Sequence, residues 1–266
     1  MVRDGHVSVD VYGAPHGPAA LVIPGVLADA AAWGEVARRL AGWETVAVLD
    51  RRGRRPSAAL PDGYTLGTEV EDARTVLREL GEVRTVVGWS YGGLIALHLA
   101  DVVPVPHVIA YEPVMAPFGA PALPHLARVR DDADARVEVA LREVAGMSDD
   151  EIRSLRSHDA TWSELRRLGA PVPAETLAIN EAGRPEKLAT AAGRVDLVVG
   201  ERNRGRAPYG TSFDDVARRV PGAQVHELAG QGHLAHLEAP GALADLVSAL
   251  GGREPGPAGR ASTGSC

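Results

Sequence analysis

The sequence predicts an α/β fold in which helices cover both faces of a mostly parallel central sheet. Short apolar segments alternate along the chain with segments whose apolar residues recur at helical spacing. Most of the apolar segments are hydrophobic at successive positions, which is typical of parallel strands buried on both faces. With 266 residues, 45% of them hydrophobic, the chain is long enough to bury such a sheet.

The predicted strands and helices follow one another in a regular order. Apolar residues three and four positions apart predict helices over 33–40 and 68–80, and Gly81 is a typical residue at the end of the second. A third helix is expected directly after residue 90. The predicted strands cover residues 7–11, 20–23, 45–49, 83–87, 107–111, 195–199 and 224–228. We assign residues 1–112 and 191–250 to this α/β core.

Residues 113–190 interrupt the alternation of strands and helices. They lack strong strand patterns and carry helical segments punctuated by proline, such as 127–144 and 149–155. We therefore expect a helical cap, residues 113–190, inserted after the strand that ends at Glu112. Residues 251–266 are rich in Gly, Pro and Ser without periodicity, and we expect them to be a disordered tail.

Composition limits the classes of partner. The formal net charge of −7 argues against nucleic acid or an anionic membrane, so a small-molecule substrate is expected. Cys266 is the single cysteine, which predicts neither an internal disulfide nor a cysteine metal site. The N-terminal residues lack the apolar segment of a signal peptide, and no apolar run approaches the ~18 residues of a membrane span. We expect a cytoplasmic protein, whose oligomeric state the sequence leaves open.

The segment GWSYGG, residues 88–93, places a serine between a predicted strand and a predicted helix. A strand, a G-x-S-x-G turn and a helix form the arrangement called a nucleophile elbow. The glycines permit a sharp turn that leaves Ser90 above a helix N-terminus, where the helix dipole favours negative charge. The amide of Tyr91 is then the expected donor to an oxyanion. Because a serine hydroxyl is a poor nucleophile by itself, this prediction requires a base elsewhere in the chain.

Together with the elbow, three further segments resemble the α/β-hydrolase superfamily, in its serine hydrolase branch with a helical cap. They occur in the family's order, and the resemblance spans roughly residues 5–250. The segments are IPGVLAD at 23–29 for the oxyanion turn, LDRRGRRPS at 49–57 for the Asp-x-Arg-Gly-x-Gly-x-Ser loop, and GQGHLAHLEAP at 230–240 for the catalytic histidine. This match is specific for the fold and much less so for the substrate.

The resemblance implies that His233 is the general base, with His236 nearby as a structural histidine. It also implies that the backbone N–H of Val26 is the second oxyanion donor, beside that of Tyr91. Pro24 stands where the family usually has a histidine. Since the donor is a backbone group, we expect the oxyanion hole to survive this change.

The sequence offers more than one candidate for the acid that supports His233. The family's usual position, after the penultimate strand, matches Asn203, which cannot stabilise an imidazolium by charge. Glu112, at the end of the strand after the elbow helix, is the preferred candidate, because some branches of the superfamily place their acid there. Asn203 as a neutral orienting group and Glu201 are the alternatives.

Two further groups of residues have a functional and a structural interpretation. Asp50 and Arg52 could form an acid–base pair, but we favour a structural role in holding the LDRRGRRPS loop.

Apolar residues of the cap either pack it onto the core or line a pocket of modest size. The residues predicted to line the pocket are Trp89, Met115, Phe118 and Trp162, with Met147, Leu165 and Leu168 as further apolar residues of the cap.

The resemblance implies a serine hydrolase that cleaves a carboxylic ester, thioester or lactone of a small, mainly apolar substrate. Ser90 would form an acyl-enzyme, with neither a cofactor nor a metal. A serine at the elbow argues against the branches of the superfamily that need a carboxylate nucleophile. Two alternatives stay open: a non-hydrolytic tailoring enzyme or cyclase on the same fold, and a ligand-binding protein on a retired hydrolase scaffold.

Overall fold

A single sheet of seven strands forms the centre of the computed structural model, which describes residues 5–252. The spatial order of the strands is β1-β3-β2-β4-β5-β6-β7, and only β1 runs antiparallel to its neighbour. The α/β fold class predicted from the sequence is therefore confirmed. The strands are β1 (Ser8–Gly13), β2 (Ala19–Ile23), β3 (Thr45–Asp50), β4 (Val83–Trp89), β5 (Val105–Tyr111), β6 (Ala192–Gly200) and β7 (Gln224–Leu228).

Helices cover both faces of this sheet because the central strands bury apolar side chains on each side. On β4, Val86 packs into one apolar cluster and Val87 into the other, as the alternation of side chains along a strand requires. The first cluster contains residues of α2 (Leu66–Leu80), α3 (Tyr91–Val102) and α9 (Tyr209–Ala217). The second cluster contains residues of α1 (Gly34–Ala37), α10 (Ala235–Glu238) and α11 (Pro240–Gly251).

Between β5 and β6 the described chain is helical, with turns between the helices. Its helices are α4 (Leu123–Arg128), α5 (Ala133–Val139), α6 (Asp149–Arg156), α7 (Asp159–Leu168) and α8 (Val172–Glu181). A 3₁₀ turn at Ala120–Ala122 precedes α4, and a π-helical turn at Ala140–Val144 follows α5. The single helix predicted over 127–144 is wrong. The chain breaks before α5, where Asp132 caps the new helix by accepting from the Ala135 N–H at 3.0 Å.

Parallel strands bring four loops to one edge of the sheet, at the carboxyl ends of β4 to β7. Backbone hydrogen bonds fix their relative positions, since the Ser90 N–H donates to Tyr111 O at 2.9 Å and the Glu112 N–H to Val198 O at 2.8 Å. A 3₁₀ turn at Glu201–Asn203 follows β6, and the loop with His233 follows β7. The residues proposed for chemistry are therefore neighbours in space although they are far apart in sequence.

The predicted tail falls almost entirely outside the structure's range. Gly251 is the last residue of α11, so the boundary predicted at 251 lies inside a helix. Residues 253–266, Cys266 among them, lie outside the described residues. Among the helices at 5–252, none is long and apolar enough to cross a membrane.

Candidate active site

Ser90 lies at the turn from β4 into α3 with a backbone conformation that non-glycine residues rarely adopt. Its φ is 56° and its ψ −120°, and its side chain is buried, with 5% exposed. The turn is tight because Gly92 packs directly on the backbone of β2, where a Cβ at position 92 would collide with Ile23 O. The Ser90 carbonyl accepts from the Gly93 N–H at 2.9 Å, so the serine forms the N-cap of α3. The hydroxyl is thus held at a helix N-terminus.

His233 lies in the loop after β7 and is packed between two aromatic rings. The Trp89 indole donates to His233 O at 2.8 Å, and its ring centroid lies 4.7 Å from the imidazole. The Tyr209 ring stacks on the imidazole with centroids 3.5 Å apart and planes at 13°. Burial lowers the pKa of His233 below its ordinary value, and the hydrogen bond to Glu112 partly opposes this effect. The ring is therefore kept neutral, as a general base must be.

Glu112 holds the Nδ1 atom of His233. Its Oε2 lies 2.6 Å from that nitrogen, and the carboxylate is completely buried. The same carboxylate accepts from the Gly200 N–H at 2.9 Å and from Asn203 Nδ2 at 2.9 and 3.0 Å. Two donors, the Gly200 N–H and the Asn203 amide, therefore converge on a carboxylate at the end of β5, and their hydrogen bonds keep its oxygens in place for the imidazole.

Asn203 and Glu201 have other contacts. Asn203 donates to Glu112 and does not contact His233 by a hydrogen bond within residues 5–252. Glu201 accepts from the Gly230 N–H at 2.6 Å, at the start of the histidine loop. The position that matches the family's usual acid thus supports Glu112, and Glu201 supports the loop.

Trp89 connects Ser90 and His233, because it precedes the serine on the chain and its indole donates to His233 O. Within the described range, no hydrogen bond joins the Ser90 hydroxyl to the imidazole. Because Glu112 occupies Nδ1, the ring nitrogen left for the serine is Nε2. Hydrogen bonds of this kind are often long in the free enzyme and tighten when substrate binds.

The two predicted oxyanion donors flank Ser90. Gly25 lies against the serine, since a Cβ at position 25 would be 2.9 Å from Ser90 Cβ and 2.8 Å from Trp89 O. This contact brings the following amide, that of Val26, beside the serine. Tyr91 is the first residue of α3, and the first amides of a helix have no partner within it. Both N–H groups are therefore candidates to stabilise an anion formed at Ser90.

A family model for the alpha/beta hydrolase family matches residues 20–246. The chain belongs to the alpha/beta hydrolase family. The match includes Ser90 at the elbow, Glu112 after β5 and the loop with His233.

Relatives of this hydrolase differ in how much of the chain they match. The uncharacterized hydrolase YraK of Bacillus subtilis (strain 168) is 36% identical over 120 residues, 43% of this chain and 44% of YraK. The match thus spans less than half of YraK. An alpha/beta hydrolase from Sphaerobacter thermophilus DSM 20745 has a TM-score of 0.73 at 23% identity, covering 91% of this chain and 95% of that one. The esterase RhEst1 from Rhodococcus sp. ECU1013 has a TM-score of 0.65 at 17% identity, covering 92% and 94%. At these identities, the two structures are similar in fold.

The pocket residues predicted for this hydrolase fall into two groups. Met115 and Phe118 are buried in the apolar cluster that contains Tyr91, and the Phe118 ring centroid lies 5.5 Å from that of Tyr209. Since Tyr209 stacks on His233, this group borders the candidate base. Met115 and Phe118 thus remain candidates for contact with a substrate.

Trp89 and Trp162 form the second group, and their positions correct the prediction. The Trp89 side chain lies in the second apolar cluster, on the face of the sheet opposite to that of Met115 and Phe118. Its indole supports the His233 loop by donating to His233 O. Trp162 packs inside the cap with Val137 and Ile152, and its indole nitrogen lies 2.5 Å from Asp134 Oδ1. These contacts are structural and give Trp162 no place beside Ser90.

Tyr209 and His236 are aromatic neighbours of the base. No motif identifies Tyr209 in the sequence, because its contact with His233 joins the first residue of α9 to the loop after β7. His236 stacks on Trp33 with ring centroids 5.1 Å apart. Burial, together with the nearby His233, lowers the pKa of His236 to about 3. His236 is thus a neutral part of the core, as the sequence analysis expects.

The LDRRGRRPS loop is held by ion pairs and backbone hydrogen bonds rather than by an Asp50–Arg52 pair. Asp50 Oδ1 accepts from the Ala30 N–H at 2.7 Å, and Arg52 binds both oxygens of Asp72 at 2.6 and 2.8 Å. The structural interpretation of these two residues matches their contacts.

Within residues 5–252, no group of three or more His, Cys, Asp or Glu side chains could hold a metal ion.

Proposed function

We propose that this protein is a serine hydrolase that cleaves a carboxylic ester, thioester or lactone through an acyl-enzyme on Ser90. The observation that carries the proposal is the buried 2.6 Å contact between His233 Nδ1 and Glu112 Oε2, in a chain that also presents a serine at a strand-to-helix elbow. A serine needs a neutral base, and the base needs an acid that fixes its tautomer. These three side chains meet both requirements.

The reaction would begin when His233 Nε2 takes the hydroxyl proton of Ser90 and Oγ attacks the carbonyl carbon of the substrate. The carbonyl oxygen then carries a negative charge, which the amides of Val26 and Tyr91 and the N-terminus of α3 would stabilise. The imidazolium formed at the same time would be stabilised by the carboxylate of Glu112.

Collapse of this intermediate would break the bond to the leaving oxygen or sulfur, which takes the proton from His233. An ester of Ser90 remains. Water, deprotonated by the same imidazole, would then attack that ester, and the second intermediate would release the carboxylic acid and return the proton to Ser90 Oγ. With a lactone, the leaving hydroxyl stays attached to the product.

A small, mainly apolar substrate fits the surroundings of the serine. Met115, Phe118 and the partly buried Val26 belong to one apolar cluster, and Tyr209 packs against it. The buried carboxylate of Glu112 would repel an anionic acyl group. We therefore expect neutral short- and medium-chain esters to be better substrates than charged ones.

The test is a panel of p-nitrophenyl esters, acyl thioesters and lactones, assayed with the full chain. Ser90→Ala and His233→Ala should each lower kcat by at least about 10³-fold on any active substrate. Ser154→Ala, at an exposed serine on α6, is the matched control and should retain full activity. The proposal fails if no member of the panel is turned over, or if a dianionic ester is preferred to neutral ones.

A further inference from the structure

Four charged side chains are buried directly behind the turn that carries Val26. We call Arg51, Arg54, Glu69 and Glu175 the arginine cluster; each has 1% or less of its surface exposed. Arg51 and Arg54 belong to the LDRRGRRPS loop, and Glu69 to α2. Glu175 comes from α8, the last helix of the cap. The cluster is separate from Ser90, His233 and Glu112.

The cluster balances two positive charges with two negative ones. Arg51 Nη1 lies 2.8 Å from Glu69 Oε1 and 2.8 Å from Glu175 Oε1. Arg54 pairs with both oxygens of Glu175, and its Nη2 lies 3.1 Å from Oε2. Glu175 is therefore the one residue of the cluster that contacts both guanidinium groups. Without it, two buried cations would share a single carboxylate.

The guanidinium groups hold the oxyanion turn by its carbonyl oxygens. Arg51 Nε donates to Pro24 O at 2.8 Å, and its Nη2 donates to Gly25 O at 2.8 Å. Arg54 Nε donates to Ala28 O at 3.1 Å. Three carbonyl groups of this short turn are thus bound by two side chains whose own orientation depends on Glu69 and Glu175.

The bond to Gly25 O also decides where the predicted oxyanion donor points. A trans peptide is planar, and its C=O and N–H groups point in opposite directions. The carbonyl of Gly25 and the N–H of Val26 belong to the same peptide. When Arg51 fixes that carbonyl on the side of the cluster, the N–H is fixed on the other side, towards the serine that Gly25 contacts. A charged donor on the carbonyl also polarises the amide and strengthens its N–H as a donor.

The cluster reaches the second predicted donor as well. The Arg51 guanidinium lies over the ring of Tyr91, 5.0 Å from its centroid. The Tyr91 hydroxyl lies 3.2 Å from that of Tyr64, which donates to Glu69 Oε1 at 2.6 Å. Both residues predicted to supply the oxyanion donors are therefore supported by the same buried charges.

We propose that Glu175 is a positioning residue for the oxyanion hole, and that docking of α8 and alignment of the Val26 N–H are one event. Glu175 touches neither substrate nor Ser90; it acts by orienting Arg51 and Arg54, which orient the Gly25–Val26 peptide. When α8 is displaced, that peptide loses its anchor and is free to rotate its N–H away. This inference rests on the proposed function, because it assigns a support to the oxyanion hole of that reaction.

The decisive variant is Glu175→Gln, which keeps the size of the side chain and removes its charge. We expect kcat on a neutral p-nitrophenyl ester to fall about 10- to 10²-fold while KM changes less than twofold, because the lost contact matters only when the oxyanion forms. A trifluoromethyl ketone, which forms an oxyanion on the serine, should bind at least tenfold more weakly. A non-hydrolysable ether analogue of the substrate should bind with unchanged affinity.

Asp72→Asn is the matched control. Asp72 pairs with Arg52, so it ties the same loop to α2, but within residues 5–252 no hydrogen bond or ion pair joins either side chain to the turn at 24–28. This variant should keep kcat within twofold of wild type, even if its melting temperature falls as much as that of Glu175→Gln. If Glu175→Gln does not fold, kcat, KM and the affinity for the ketone are measured on Glu175→Asp instead. This variant keeps the negative charge, but its shorter side chain brings the carboxylate less close to Arg51 and Arg54.

Three outcomes separate the inference from the function that it rests on. Folded Glu175→Gln with kcat and ketone affinity within twofold of wild type would overturn the inference and leave the hydrolase intact. An equal loss of activity in Asp72→Asn would also overturn it, because the effect would then be one of general stability. Turnover that survives Ser90→Ala would overturn the proposed function itself.

Discussion

Replacement of Glu112 by glutamine changes which nitrogen of His233 carries the proton. The carboxylate accepts from the Gly200 N–H, from Asn203 and from His233. A glutamine has one oxygen and one NH₂ group. If the oxygen keeps the fixed Gly200 N–H, the NH₂ group faces His233 Nδ1, which must then accept. The imidazole proton moves to Nε2, and the ring cannot take the proton of Ser90.

The structure allows the size of this loss to be worked out. Turning the glutamine so that its oxygen faces His233 would leave the Gly200 N–H buried and unpaired, at about 1–3 kcal/mol. At 1.36 kcal/mol per factor of ten, the productive tautomer is depleted about 5- to 150-fold. The negative charge beside the imidazolium is lost as well. We therefore expect kcat to fall by at least about 10²-fold, towards the ~10⁴-fold known for an Asp-to-Asn change in a serine protease triad.

The assay is steady-state hydrolysis of a neutral p-nitrophenyl ester by Glu112→Gln and by Asn203→Ala, with circular dichroism to show that both are folded. Asn203 donates to Glu112 without contacting His233, so its loss should lower kcat less than tenfold. The reverse ranking would refute the assignment of the acid. Restored activity in Asn203→Asp, added to an inactive Glu112→Gln, would show that the site after β6 can serve instead.

Three further predictions concern pH and packing. The value of kcat/KM should fall on acidification with a midpoint below about 6.5, because burial lowers the pKa of His233 and only neutral imidazole can accept a proton; a midpoint above 7 would contradict this. Gly92→Ala should abolish stable folding, since its Cβ would meet Ile23 O, whereas Gly67→Ala in α2 should melt at or above the wild-type temperature. Burial raises the pKa of Asp50 to about 6, so the folded protein favours the neutral carboxyl group. The contribution of this group to the free energy of unfolding is therefore fully present below about pH 4 and is lost as the pH rises through 6. The free energy of unfolding of Asp50→Asn, measured with urea, should therefore rise relative to that of wild type by about 2–3 kcal/mol as the pH increases from 4 to 8. A difference between the two proteins that does not change with pH would refute this account.

The fold class and its strands follow from local patterns that a single sequence displays. Runs such as 20–23 and 45–49 are apolar on both faces because helices cover both faces, and they lie within β2 and β3. The helix predicted over 127–144 fails for a local reason that periodicity does not register. Its apolar positions continue in phase while Asp132 starts a new helix by capping it.

The contacts of the candidate site depend on which side chains meet from distant segments. From the sequence, Glu112 and Asn203 are alternative candidates for the group that supports His233. Only the fold shows that the Asn203 amide donates to the Glu112 carboxylate. The sequence predicts Trp89 in the pocket because it adjoins the serine, whereas its ring lies in the apolar cluster on the other face of the sheet. The stacking of Tyr209 on His233 and the pairing of Glu175 with Arg51 have no local signature at all.

Covalent capture of Ser90 tests the central claim most directly. The full chain would be treated with a fluorophosphonate, digested and analysed by mass spectrometry, with Ser90→Ala and the exposed-site variant Ser154→Ala treated alongside. We predict one adduct per chain on the peptide that contains Ser90, loss of esterase activity in parallel with labelling, and no adduct in Ser90→Ala. Folded wild-type protein that hydrolyses esters without labelling at Ser90, or that labels equally well after Ser90→Ala, would contradict the account.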